Sequence, residues 1–595
     1  MIKAAAIFFG SLALAFSANA EHRKLSREFD GLNPNTRVKI IVKWKKQPDA
    51  TSEAKVVKRG GVVRSRLRAI AAGQYELSAR HILELANDAD VEHISIDHPL
   101  HARLDNTAGA MNAAAAWSSG FVGTGIGVAV LDSGMNAAAD LAGSRIVHTE
   151  DFVDPNASAG QDLFGHGQHV AGIIGANGSA SACTNCTRTF RGMAPGVNLI
   201  NLRVLDANGG GTDGGVIAGL QRAIELKDTY NIRVINLSLG RPVYESYLDD
   251  PLCQAVEAAW KSGIVVVVAA GNEGRDYSFG TSGYGTINAP GNDPYVITVG
   301  AMKSMGTPDR SDDLIASYSS KGPSLIDHIV KPDILAAGNQ VVSLMVSGAN
   351  LETQYGATNS VPSSYYQSGL ASTAAAQSSN DYFILSGTSM AAAAVSGAAA
   401  DLIQARPNLT PDQVKILMMQ TAYKTFPQSS SVYDAATDQT FTSYYDIFTV
   451  GAGYLDLGAA LAAADGVPSE GTALSPRASY DSNTGVVTVT FDSSSVFGSQ
   501  GLWGAQGLWG AGSVWSNSVL TSSQGLWGAQ GLWGAQGLWG AQGLWGAQGL
   551  WGAQGLWGAQ GLWGAQGLWG AQGLWGAQGL WGAQGLWGAN IQGEK

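Results

Sequence analysis

From Gly125 onward the chain alternates short, predominantly apolar runs with glycine-rich turns and amphipathic stretches. The runs are Val128-Ala129-Val130-Leu131, Leu199 to Leu205, Val234 to Leu239 and Ile264 to Ala270. Strands apolar on both faces and spaced by helical segments predict a parallel sheet covered on both sides. Catalytic and binding groups in such sheets collect beyond the carboxyl ends of the strands, and Asp132 and Asn272 follow two of the runs. Upstream, residues Thr36 to Leu104 have the pattern of a small α/β unit. It has a strand at Val38 to Val42, a helical stretch at Ala79 to Asn87, a second strand at Val91 to Ile96, and Pro99 as punctuation.

After Gly466 this pattern stops. A strand-like Val486 to Phe491 precedes a Gly-Leu-Trp-Gly-Ala-Gln repeat from Gly501 to Ala589, broken once at Ser513 to Gln524. A six-residue period is a multiple of two, so in a strand every Trp falls on one face and every Leu on the other. In a helix the same spacing scatters them. The pattern therefore favours β stacking, in a solenoid or sheet, with a glycine-rich low-complexity tail as the alternative.

The chain has 595 residues and a formal net charge of −11. That is room for a catalytic-sized domain with appendages, and its acidity argues against nucleic-acid binding. The exception is the basic stretch Arg37 to Arg68, which suits a nucleic-acid arm or a module docked on an acidic partner; its α/β pattern favours docking. Lys3, the apolar run Ala4 to Phe16 and Ala18-Asn19-Ala20 read as a signal peptide cleaved after Ala20, which predicts export; the run is too short for a membrane span. Three cysteines are too few for a disulfide framework. Cys183 and Cys186 lack two further zinc ligands nearby, so a local disulfide is expected, with Cys253 a buried thiol.

Four segments carry chemistry. Val130-Leu131-Asp132-Ser133-Gly134 ends a buried strand in a carboxylate and a glycine turn, where the carboxylate can orient an imidazole. Gly165-His166-Gly167-Gln168-His169-Val170-Ala171-Gly172 puts a histidine at the start of a small-residue helix. The rival reading, a metal pair of His166 and His169, lacks the glutamate of a zinc-peptidase helix. Ser386-Gly387-Thr388-Ser389-Met390-Ala391 sets Ser389 at a helix N-terminus, where backbone N–H groups face developing negative charge; alone it would read as an ordinary cap. Ala269-Ala270-Gly271-Asn272-Glu273-Gly274 offers an uncharged amide at a strand end, suited to an oxyanion or simply to a turn.

Together these segments resemble the subtilisin-like serine peptidases, in the order Asp, His, oxyanion Asn, Ser, over roughly Trp117 to Leu461. Further matches are Gly192-Met193-Ala194-Pro195, Asn236 to Gly240, Tyr318 to Pro323, Lys331 to Ala336 and Asn408 to Lys415. The resemblance implies an α/β fold with a mostly parallel sheet and helices on both faces, preceded by a small α+β propeptide and followed by the Gly/Trp repeat tail. It implies Ser389 as nucleophile, His166 as base, Asp132 as its orienting partner and Asn272 as oxyanion donor. It further implies that Ser238, Leu239 and Gly240, with Gly209, Gly210 and Gly211, sandwich an extended peptide or protein substrate. Calcium is implied only as a structural ion, at Asp140, and no cofactor is implied for catalysis. Residues Val38 to Pro99 resemble the family's inhibitor-type propeptide, acting as an intramolecular inhibitor that is cut near His101 to Asn106.

The expected organisation is a signal peptide (1–20), a propeptide (36–104), a catalytic domain (107–465), a linker with a short β segment (466–500) and the repeat tail (501–589). The chain departs from the family at Ala392-Ala393-Ala394, where Thr-Pro-His is usual, at Gln168 in place of Thr, and in the long insert Ser343 to Asp381. A histidine base must be unprotonated to act, which predicts neutral or alkaline activity. Two rival functions are a non-catalytic adhesive that displays the tail at a cell surface or to another copy, and a peptide ligase on the same fold.

Overall fold

The computed structural model describes residues 36–499, apart from 68–69, 97–103, 144, 155–159, 278–280, 369–376, 435–436 and 482–485, together with a few residues before 36 and Glu594. The expected signal peptide and the repeat tail lie outside the described residues. The chain divides into two compact units, Met1–His101 and Ala102–Lys595.

In the first unit four antiparallel strands, β1 (Arg37–Trp44), β2 (Val62–Leu67), β3 (Ala72–Ser78) and β4 (Val91–Ile96), lie in the order β2-β3-β1-β4. Helices Ala50–Val57 and Ala79–Ala86 complete it. Ile40, Val42, Tyr75, Leu77, Ile82, Leu85, Val91 and Ile94 form its core. From Gly73 to Ser78 buried and half-buried positions alternate along β3, the period of two expected of a sheet with one covered face.

The second unit is built on a mostly parallel sheet of β5 (Gly127–Asp132), β6 (Ile146–Asp151), β7 (Asn198–Arg203), β8 (Ile232–Leu237), β9 (Val265–Ala269), β10 (Ile297–Lys303) and β11 (Leu314–Ile315), in the order β11-β10-β9-β8-β5-β7-β6. β12 (Ile334–Ala337) pairs parallel with β10, and only the β10–β11 pair is antiparallel. β5 and β9 are buried at every position, as wholly apolar strands require. The helix Thr388–Ala405 packs against β8, β9 and β10 and against the helix His166–Gly175. It runs unbroken through Ala392-Ala393-Ala394, all fully buried, as expected where proline is missing and alanine favours the helix.

The insert after Ser343 supplies the helix Asn350–Asn359 and completes a three-stranded sheet of Val341–Leu344, Ser360–Pro362 and Ser378–Leu385. Cys183 and Cys186 are disulfide-bonded and Cys253 is a buried free thiol. The stretch 466–500, expected as a linker, packs instead. Its hairpin Arg477–Asp481 and Val486–Thr490 and the residues Val496 and Phe497 share a core with Val330, Ile416, Met419 and Phe448. The sequence alternation there marks a strand but does not reveal the apolar surface it covers.

Candidate active site

The expected site residues gather at the carboxyl edge of the central sheet. Asp132 is the last residue of β5 and is buried. The chain then turns through Gly134, whose φ of +122° suits glycine. A Cβ on Gly167 would lie 2.3 Å from the Gly134 carbonyl oxygen. Only two glycines therefore let the His166 helix approach the end of β5 this closely.

That approach brings His166 Nδ1 to 2.7 Å from Asp132 Oδ1. A carboxylate only accepts, so Nδ1 carries the hydrogen and the neutral ring keeps its lone pair on Nε2. The Ser133 N–H also donates to Asp132 Oδ1 at 2.7 Å. Ser133 Oγ accepts from the Gly167 N–H at 2.9 Å and donates to Asp162 at 2.8 Å. Asp162 in turn accepts from the N–H groups of Phe164, Gly165 and Gln168 at the start of the His166 helix. Burial raises its pKa, while those donors act to lower it. Gln168 Oε1 accepts from the Asn136 N–H at 2.8 Å, tying the same helix to the turn after β5.

His169 stands apart from this chemistry. Its Nε2 faces the Val341 and Phe383 carbonyls at 3.2 and 3.1 Å, and burial holds its pKa down to about 3. It is a neutral core histidine. Among the described residues no group of three or more His, Cys, Asp or Glu side chains converges as a metal site.

Ser389 is the second residue of its helix, and its hydroxyl donates to the Ser238 carbonyl at 3.2 Å. Ser238 Oγ donates back to the Ser389 carbonyl at 2.8 Å and accepts from Asn236 Nδ2, whose Oδ1 accepts from Ser396. The end of β8 is thus bonded to two turns of the Ser389 helix. Asn272 Oδ1 accepts from the Thr388 N–H at 3.0 Å and the Thr388 hydroxyl at 3.2 Å. With its oxygen held there, the Asn272 amide is oriented with Nδ2 as the outward donor.

Ser389, Asn272, Ser238, Leu239, Gly240, Gly209, Gly210 and Gly211 line a single cleft. Arg241 also lines it, with Nε shared between the two oxygens of Asp213 and Nη2 between the two oxygens of Asp250.

Several supporting residues carry no role in the sequence reading. Asp162, four residues before His166, has the acidic N-terminal signal of a helix start, which could have marked it. Thr388 sits beside the nucleophile candidate. Glu273 Oε2 accepts from the Asn272 N–H, Ser320 Oγ and Asn288 Nδ2, and burial raises its pKa to about 7. No local pattern distinguishes it from a turn glutamate.

Asp140 does not join the cleft. Its Oδ1 accepts from the Ala180 N–H at 2.6 Å and Ser179 Oγ at 3.2 Å, and its Oδ2 accepts from the Tyr382 hydroxyl at 2.7 Å. These donors suit a hydrogen-bonded carboxylate. A calcium ion needs six or more oxygen ligands, and the surrounding residues do not fit one.

Residues 123–445 match the subtilase family, and residues 496–593 match the collagen triple helix repeat. The chain is 35% identical over 365 residues to serine protease AprX of Bacillus subtilis (strain 168), covering 60% of this chain and 75% of that protein. It is 31% identical to subtilisin E of the same organism over 396 residues, 65% of this chain and 86% of that one. It is 33% identical over 300 residues to an extracellular serine proteinase of Thermus sp. (strain Rt41A), half of this chain and 56% of that one. The collagen match exposes a period that the six-residue reading overlooks: each hexapeptide is two Gly-X-Y triplets, with Leu-Trp and Ala-Gln in the X and Y places and no proline from Gly501 to Ala589.

Proposed function

The chain belongs to the subtilase family and is a serine endopeptidase, and from that premise we propose that Ser389, His166, Asp132 and Asn272 perform its chemistry. The reading rests above all on the 2.7 Å contact between Asp132 and His166. It fixes the tautomer that leaves Nε2 able to accept a proton.

The Ser389 hydroxyl rotates from the Ser238 carbonyl toward His166 Nε2 and gives up its proton as Oγ bonds to the substrate carbonyl carbon. Asp132 stabilises the imidazolium. The resulting oxyanion accepts from Asn272 Nδ2 and the Ser389 backbone N–H, an interaction absent from the planar ground state. The imidazolium then protonates the leaving amine as the C–N bond breaks. Water attacks the acyl-enzyme by the reverse sequence of proton transfers. Ser238 to Gly240 and Gly209 to Gly211 present backbone groups to an extended substrate from two sides of the cleft.

The N-terminal unit is a propeptide that inhibits this cleft until export and self-cleavage near His101 to Asn106. In the full chain, Ser389→Ala is expected to abolish labelling by a serine-reactive phosphonate and to leave the precursor uncut in a protease-free system. Labelling retained, or normal processing, would overturn the assignment. The repeat segment serves association, at a cell surface or between copies. Deleting Gly501 to Ala589 is expected to reduce surface retention or self-association; a deletion that alters neither removes that role.

A further inference from the structure

Glu594, the residue that follows the repeat by a few positions, is buried in the catalytic unit at 5% exposure. Both oxygens of its carboxylate face donors or cations, but among the described residues only Oε1 is hydrogen-bonded. Oε1 accepts from the Ser317 N–H at 2.8 Å, from the Ser317 hydroxyl and from Arg275 Nη2 at 2.7 Å. Oε2 lies 3.1 Å from Lys303 Nζ, an ion pair off the direction of a hydrogen bond. The backbone is read as well: Asn339 Nδ2 donates to the Glu594 carbonyl and Asn339 Oδ1 accepts from the Glu594 N–H, both at 2.9 Å. An asparagine amide paired to both polar groups of one residue recognises a peptide, not a free ion.

The receiving groups are built into the fold. Lys303 ends β10 and is 4% exposed, and Glu594 is the carboxylate paired with it among the described residues. Asn339 follows Gly338, whose carbonyl accepts from the Gly387 N–H two residues before Ser389. A lysine placed this deep is costly unless an anion reaches it.

We propose that Arg275, Lys303, Ser317 and Asn339 form an acidic-peptide site filled in cis by Glu594, which latches the far side of the repeat onto the catalytic unit. The near side is held by Val496 and Phe497 in the core they share with Phe448. Both flanks of the repeat are therefore fixed on one body.

The test uses the full chain carrying Ser389→Ala, so that no self-cleavage intervenes. Glu594→Gln is expected to raise hydrogen exchange across 299–304 and 315–319 and to increase the maximum dimension in solution X-ray scattering; Lys595→Gln should do neither. Adding Lys303→Met to Glu594→Gln should restore the lost thermal stability, because it removes the stranded ammonium. The synthetic peptide Asn-Ile-Gln-Gly-Glu-Lys should bind the Glu594→Gln chain roughly tenfold or more tightly than its Glu-to-Gln analogue, as expected for losing a charge-assisted hydrogen bond. Unchanged exchange and dimension in Glu594→Gln would overturn the proposal. So would concentration-dependent dimers that Glu594→Gln dissolves, which would put the occupant on a second copy.

Discussion

The two units differ in how deep their charges go. In the N-terminal unit the ion pairs lie at the rim: Arg37 and Arg64 with Glu76, Lys43 with Glu92, Arg66 with Glu53, and Lys55 with Asp88 and Asp90. The catalytic unit has rim pairs as well, such as Arg406 with Asp465, but it also carries ion pairs deep inside. Lys331 and Lys415 meet Asp333 with all three side chains fully buried, and the three N–H groups of the Lys415 ammonium are shared among the surrounding Pro294, Tyr295 and Val296 carbonyls and Ser475 Oγ. Water can replace either partner at a rim, but no solvent reaches the inner triad. A basic, solvated surface therefore asks only for a composition, whereas a buried network asks for every member at its own place.

The strongest way to break this contrast is Asp333→Ala, which leaves two ammonium groups facing each other in the core. It should cost about 3–5 kcal/mol in urea unfolding of the Ser389→Ala chain, the loss typical of a broken buried pair. A loss as small as that of a surface pair would mean that water enters the triad.

A sharper version uses Asp401, in the Ser389 helix. Neither of its carboxylate oxygens has a hydrogen-bond partner among the described residues, and burial pushes its pKa from 3.8 up to about 9. The folded chain then binds more protons than the unfolded chain between those values, so this group's contribution is complete below 3.8 and is lost as pH rises toward 9. Asp401→Asn should stabilise the protein by about 1–3 kcal/mol at pH 8 and by nothing at pH 4, read from unfolding midpoints. An equal effect at both pH values would show that ionisation is not the cause.

At the weak end, Glu76→Gln removes the partner of Arg37 and Arg64 and should leave the unfolding midpoint and the hydrogen exchange of β1 and β3 unchanged. A clear loss of protection there would show that the rim pairs act as a network.

The sequence made much of the second unit's sheet legible, because strands buried on both faces must be largely apolar: β9 is apolar throughout, β5 is up to its terminal Asp132, and β7 and β8 keep apolar residues around Asn201, Arg203, Arg233 and Asn236. The candidate site was legible where a residue type is chemically irreplaceable: Asp132, His166, Asn272 and Ser389 sit in short motifs whose glycines have steric reasons. The partners that hold them were not. Ser133, Asp162, Thr388 and Glu273 act through hydrogen bonds that cross between loops, and such bonds leave no periodicity. Glu594 was invisible for the same reason, a lone acid after a long uncharged stretch. In the repeat the opposite happened. A period of six contains both two and three, so the same repeat satisfies the alternation of a strand and the glycine at every third place of a collagen triplet.

The two fixed flanks of the repeat make its length a free variable. Whole hexapeptides can be gained or lost without moving Phe497 or Glu594 from their seats, because closure entropy rises only logarithmically. Doubling the loop costs only about 0.6 kcal/mol. Copy number in this segment can therefore vary at little cost to folding while Phe497 and Glu594 keep their own contacts.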